Sequence, residues 1–315
     1  MKMSKLQIIG ENPGGVMYFR KMSILGVFVC TFIAVIIFCP LLTSKTKADD
    51  NLNLIGEFDT AKAMQLIYGN FDVQKQVSTW KPGVVCNKTT YRDEDIRTLL
   101  PEPEEDFESK VALLSGFSVN GVDKYYMLTS TTWDDCHACR PILGIFVWKK
   151  QKKGWQLESA DKCFGMFGSW GALPEKISLV QLDAAKFGVM FEETNTAQME
   201  TILYYNLITQ WNKVFKVALD GLAADSYEYE DGCDKKPPLP LCYDYSSQMR
   251  FLPDKSLVSI KYSGTYLVKT SKGEERKPLD YSLLCTYDND QGEYVKNENH
   301  KSKCLDGLFF QKRIE

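Results

Sequence analysis

The chain has 315 residues and 35.9 kDa, with 44% apolar and 25% charged side chains and a formal net charge of −3. These globular proportions exclude full-length disorder and collagen-like or coiled-coil chains, and the length allows one large or two ordinary domains with ample core. Residues 1–48 carry six basic and one acidic side chain, which leaves 32 basic against 40 acidic groups, a balance of −8, in the remainder; without a basic block, nucleic acid is not an expected partner.

Residues 1–22 read as a cytoplasmic n-region. Arg20 and Lys21 immediately precede residues 23–42, a twenty-residue stretch with no charge. That is long enough to cross a bilayer as a helix, and the positive-inside bias places the N-terminus in the cytoplasm. Two readings follow. In one, the segment is a signal-peptide core, cleaved after the small-x-small run Thr46-Lys47-Ala48 to give a periplasmic or secreted protein. In the other it is an uncleaved signal anchor that holds the protein in the inner membrane. Both export residues 49–315.

A linker is expected over 43–57 and a β-rich exported domain over 58–315, divided into a helical preface (58–109), a main β unit (110–224) and a cysteine-containing β extension (225–315). Asp59-Thr60 caps a first short helix, in which Met64, Ile67 and Tyr68 share a face before Gly69 stops it. A second short helix is expected over 93–100, ended by Pro101. From Lys110 the period becomes that of strands. VALLSGFSV and VDKYYMLTSTT flank Asn120-Gly121, the strongest short hairpin signal. ILGIFVWKK and WQLESADK form a second hairpin around 151–154, with Trp148 and Trp155 expected to pair across it. Residues 163–174, rich in Gly and aromatics, read as a loop. ISLVQL, KFGVMFEET, ETILYYNLI and KVFKVALDG follow at the spacing of an all-β protein, and after a break at 225–241 come YDYSSQMRFL, SLVSIKYSGTYLV, YSLLCTYDN and GEYVKN. The fold class is therefore mainly β: an antiparallel sandwich-, barrel- or propeller-like unit with two short N-terminal helices and a disulfide-stapled C-terminal part.

Outside the apolar segment there are eight cysteines, an even number in an exported chain: Cys86, Cys136, Cys139, Cys163, Cys233, Cys242, Cys285 and Cys304. Disulfides are the default there, and sequence does not choose among the connectivities. Cys233 and Cys242 flank a Pro-stiffened loop. Cys285 and Cys304 flank a hairpin with its turn near Asp290-Gln291-Gly292. Cys86, Cys136, Cys139 and Cys163 remain for the CxxC region.

The one constellation with the look of chemistry is Trp133-Asp134-Asp135-Cys136-His137-Ala138-Cys139-Arg140-Pro141. A thiol–disulfide oxidoreductase would use Cys136 as the attacking thiol and Cys139 as the resolving one. Its context favours a structural bridge. A redox CxxC opens a helix, whereas ILGIFVW after Pro141 is strand-like, and Asp134 and Asp135 disfavour a thiolate. Cys136, Cys139, His300 and Cys304 have zinc-like local spacings, but the halves lie far apart and Cys304 has a nearer partner in Cys285. No metal and no cofactor is therefore assigned.

The run CHACRPILGIFVW, with GSWG and the later Cys242-Tyr243 doublet, resembles an uncharacterised group of exported bacterial proteins over about residues 55–305. The resemblance implies export and a single unit, and lends no activity.

His137 and His300 are the only histidines, so any Ser-His or Cys-His mechanism would have to use one of them, and surface positions suit both better. No GxSxG, P-loop, HExxH or dinucleotide fingerprint occurs. Gly165, Gly168 and Gly171 are spaced by threes, but Phe167 and Trp170 between them point to a packed turn. Of Glu192 and Glu193, strand geometry lets only one enter a cleft. Tyr204, Tyr205, Tyr243 and Tyr245 are candidates for an aromatic binding surface. Asn87-Lys88-Thr89 is a glycosylation acceptor in a eukaryotic host. The sequence thus points to an exported, non-enzymatic β-rich protein that binds an unknown protein or small ligand, with membrane attachment through 23–42 if that segment is uncleaved. The alternative is the Cys136/Cys139 oxidoreductase.

Overall fold

The computed structural model describes residues 52–82, 86, 105–132, 139–197, 200–227, 243–270, 273–296 and 299–305. The expectations for residues 1–51, Asn87, the helix over 93–100, Cys136, His137, Cys233 and Cys242 fall outside them. Among the described residues no helix is long and apolar enough to cross a membrane.

The first sheet is built from β1 (Asn53–Ile55), then, after helix α1 (Thr60–Tyr68), β2 (Phe71–Asp72), β3 (Val77–Trp80), β4 (Phe107–Val119), β5 (Val122–Thr132), β6 (Ile142–Gln151) and β7 (Gly154–Met166). Its order is β1-β7-β6-β5-β4-β3-β2. The second sheet contains β8 (Lys176–Asp183), β9 (Lys186–Ala197), β10 (Glu200–Trp211), β11 (Val214–Tyr227), β12 (Tyr243–Leu252), β13 (Leu257–Thr270), β14 (Gly273–Asp288), β15 (Glu293–Lys296) and β16 (Asn299–Lys303). These nine strands lie side by side in chain order. Every pairing in both sheets is antiparallel. The protein is thus mainly β, as its period-2 patterning implies; β11 runs through Tyr227, past the expected start of the break at 225, and the second sheet joins strands from both sides of it.

Local chemistry sets the connections. The Asp59 side chain accepts the Lys62 amide at 3.1 Å and caps α1, and Gly69 leaves the helix at φ 74°. Asn120 and Gly121 at φ 52° and 75° make the primed turn that matches strand twist, as their sequence demands. Asn212 and Lys213, at φ 49° and 65°, do the same between β10 and β11.

Strand alternation sorts the apolar side chains into three cores. On β5 and β6, Met127, Phe146 and Trp148 face α1, where Ala63, Met64 and Ile67 cover them. The intervening Tyr126, Leu128, Ile145 and Val147 face the second sheet and meet Val189, Phe191, Ile208 and Phe215. Met190 and Leu207 point the other way, into a third core with Leu219, Ile260, Tyr262, Leu283 and Tyr294. The second sheet encloses that core by curling into a half-barrel: β8 reaches β12, and β11 reaches β15. Each large side chain buried in these layers contributes about 1.5–3 kcal/mol.

Two local expectations are corrected. Residues 163–166 are strand, not loop. β7 continues through Cys163, Phe164 and Met166, which are buried, and pairs Gly165 with Leu143 and Met166 with Ile142. Trp148 and Trp155 are not cross-strand partners, because the register set by the Gln151–Gly154 turn places Trp148 opposite Leu157 and Trp155 opposite Lys150, so the two rings are diagonal neighbours. Both rings meet instead on Phe58, at 5.7 and 5.5 Å.

Two disulfides are complete within the described residues: Cys86–Cys163, and Cys285–Cys304 as the hairpin reading anticipates. Cys139 is also disulfide-bonded. Since those four cysteines pair among themselves, its partner lies outside the described residues.

Candidate functional site

The chain segment leaving the CxxC region converges with a glycine-rich turn and with the second sheet. The turn is Gly168-Ser169-Trp170-Gly171. Gly168 has φ 84°, and a Cβ there would lie 2.1 Å from the Ala172 carbonyl oxygen, so only glycine fits. Ser169 and Ala172 bond each other's backbone, at 3.1 and 2.9 Å. Gly171 donates its amide to the Cys139 carbonyl at 2.7 Å, and the Thr132 hydroxyl donates to the Gly171 carbonyl at 3.1 Å. The turn is therefore clamped to the backbone beside the second CxxC cysteine.

Its other anchor is Glu193. Gly168 donates its amide to Glu193 Oε1 at 3.2 Å, and Arg140 Nη2 lies 3.9 Å from the same oxygen. The Glu193 side chain is only 14% exposed. Burial pushes its carboxyl above the usual range, against the opposing pull of Arg140 and of the Gly168 amide. Glu192, on the opposite face of β9, pairs with Lys176 at 3.0 Å near solvent. The strand argument that only one of the two carboxylates turns inward holds, and the inward one is Glu193.

Tyr204 sits directly across β10 from Glu193. Burial raises its hydroxyl pKa, as do the charges of Asp225, Glu200 and Glu193, while Arg140 lowers it. Tyr205 and Tyr245 are core residues, which takes them out of the expected aromatic surface. Phe167 and Trp170 part company as well. Phe167 is buried against Phe191 with ring centroids 5.3 Å apart, whereas Trp170 is 61% exposed at φ 52°. The packed turn is therefore built on Phe167, while the Trp170 indole is mostly exposed on a backbone conformation that bulky residues avoid.

The amides of Gly168 and Gly171 are already bonded within the protein, so this turn is not a phosphate cradle. The zinc set is not assembled either: Cys304 is bonded to Cys285 and Cys139 is also in a disulfide, so neither offers a thiolate.

A second polar feature lies under α1. The Tyr68 hydroxyl meets Thr129 Oγ1 at 2.6 Å, Trp80 Nε1 donates to Ser109 Oγ at 2.6 Å, and Ser109 meets Thr131 at 2.5 Å. Each of these four hydroxyls has a partner within the network, so it reads as a structural seam, although Ser78 Oγ, opposite Ser109 in register, is buried without one. Sequence reasoning missed both this seam and the Arg140–Glu193 contact, which joins residues far apart in the chain with no local signature.

In comparisons with known proteins, no family model, no curated protein and no solved structure matches the chain.

Proposed function

We propose that residues 49–315 form an exported, non-enzymatic binding protein whose partner is engaged at the Trp170–Arg140–Tyr204 surface. The observation that carries this reading is the exposure of Trp170 on a turn fixed at both ends, by Cys139 and by Glu193. Trp, Arg and Tyr are the side chains that most often dominate binding energy at interfaces. A rigid turn presents its indole with little ordering cost. Arg140, with about half its side chain exposed, supplies a directional charge at the Glu193 anchor of the same turn. The disulfides are in keeping with an oxidising compartment.

Two experiments test the reading. Mass spectrometry of the mature terminus from the native host's membrane and exported fractions is expected to find either a start at Asp49 or an anchored chain. Soluble cytoplasmic protein with an intact Met1 contradicts export. A photo-crosslinking residue at position 170 is expected to trap a discrete partner in the native envelope, while the same residue at exposed Val73 traps none. Equal trapping at both positions contradicts the site.

The second reading, a Cys136/Cys139 oxidoreductase, draws support from one fact. Cys86 and Cys163 bond each other, so neither of them is the disulfide partner of Cys139. Against it, Arg140, the cation that follows the motif in sequence, is directed to Glu193.

A further inference from the structure

At the far end of β4 and β5 from this surface, the two sheets leave a cleft of about 180 Å³. Three turns bound it: the Asn120-Gly121 hairpin of the first sheet, and the β8–β9 and β10–β11 turns of the second. One wall is apolar. The Phe117 ring stacks on Tyr126 at 5.2 Å and leans on Phe187 at 4.8 Å, with Val119 beside them. The floor is polar but occupied: the Tyr126 hydroxyl donates to the Phe187 carbonyl at 3.0 Å and accepts the Gln210 amide at 3.3 Å.

The charge around the cleft is one-sided. Lys124, Lys186 and Lys213 line it, and among the described residues no carboxylate does. Lys124 is matched by Glu158 at 2.6 Å. Lys186 has Asp183 at 3.9 Å, bonds the Asn289 side chain and lies 4.3 Å over the Tyr287 ring; burial lowers its pKa. Lys213 is exposed on the left-handed limb of its turn. Pairing off the first two lysines leaves a surplus of positive charge at one end of a cleft whose other wall is aromatic. The volume is close to the ~150 Å³ of an apolar cavity that takes a benzene ring, and below the range of drug-sized sites.

We propose that this cleft binds a small carboxylate with an aromatic or compact apolar body. The ring lies against Phe117, Val119 and Phe187, and the carboxylate sits at Lys213. The site is separate from the Trp170 surface and does not depend on it.

The test is calorimetric and NMR titration of the purified full chain with phenylacetate, 2-phenylethanol, acetate and inorganic phosphate. Phenylacetate is expected to saturate at one site per chain and to bind at least tenfold tighter than any of the other three. Lys213→Met is expected to weaken phenylacetate tenfold or more, with Lys213→Arg restoring it. Val119→Trp, which fills the cleft from a half-exposed strand end, is expected to abolish binding, and Trp170→Ala to leave it unchanged. No saturable phenylacetate binding overturns the proposal. So does equal affinity for 2-phenylethanol, which would deny the cationic end, or for phosphate or acetate, which would deny the apolar wall. Unchanged affinity in both Lys213→Met and Val119→Trp would place the ligand elsewhere.

Discussion

Gly168 donates its backbone N–H to Oε1 of Glu193 at 3.2 Å, and this bond fastens the turn that carries Trp170 to the second sheet. With Arg140 3.9 Å from the same oxygen, a largely buried carboxylate becomes the meeting point of the CxxC flank, the glycine turn and β9.

That carboxylate makes stability depend on pH. Burial raises the folded pKa of Glu193, so the native state holds its proton to higher pH than the unfolded chain does. Its contribution favours folding most at low pH and is lost as pH rises through the folded pKa. Glu193→Gln keeps an acceptor for Gly168 and removes the charge. The variant is therefore expected to gain on the wild type in urea midpoint as pH rises from 4 to 7.5. Parallel midpoint curves for the two proteins would show that the carboxylate is not held up by burial.

The glycine turn separates stability from recognition. Gly168→Ala places a Cβ against the Ala172 carbonyl on a left-handed backbone and is expected to cost about 1–3 kcal/mol. Trp170→Ala removes an exposed ring and is expected to change stability by less than about 0.5 kcal/mol. Chemical denaturation of both variants checks the pair. A large loss in Trp170→Ala would make the indole a packing residue.

The two disulfides close loops of different length, 77 and 19 residues apart in sequence. Loop-closure entropy then ranks them. Replacing Cys86 and Cys163 together with Ser is expected to cost about 4 kcal/mol, against about 3 for Cys285 and Cys304. Guanidinium unfolding of the two double variants measures the order. The reverse order would mean that local packing at the C-terminal hairpin outweighs chain entropy.

The Cys136/Cys139 pair decides between the two functional readings. Cys136→Ser with Cys139→Ser is expected to lower stability by about 2–4 kcal/mol and to abolish no reaction. Insulin reduction by the wild type that disappears in the double variant would reverse the ranking. A reduction potential near ~−120 to −270 mV would do the same, since a structural bridge lies below about −300 mV.

What sequence could show here depended on range. Asn120-Gly121 fixes its own turn, and Glu192 and Glu193 must face opposite ways on any strand, so both were legible. The β7 extension was not. Cys163, Phe164 and Met166 look like a loop until β6 supplies Ile142 and Leu143 as partners. The Trp148–Trp155 relation failed for a local reason: the turn closes Gln151 on Gly154, which pairs Trp148 with Leu157 and leaves the two rings diagonal rather than opposite. Arg140 and Glu193, and the cleft between three distant turns, exist only once the sheets have packed.

The central claim is that Trp170 carries recognition. Its most direct test is quantitative affinity capture from the native host's envelope, with wild type and Trp170→Ala run in parallel at equal folded concentration. The account predicts a discrete partner enriched at least tenfold by the wild type and lost from the variant. Equal recovery of that partner by both proteins would contradict it.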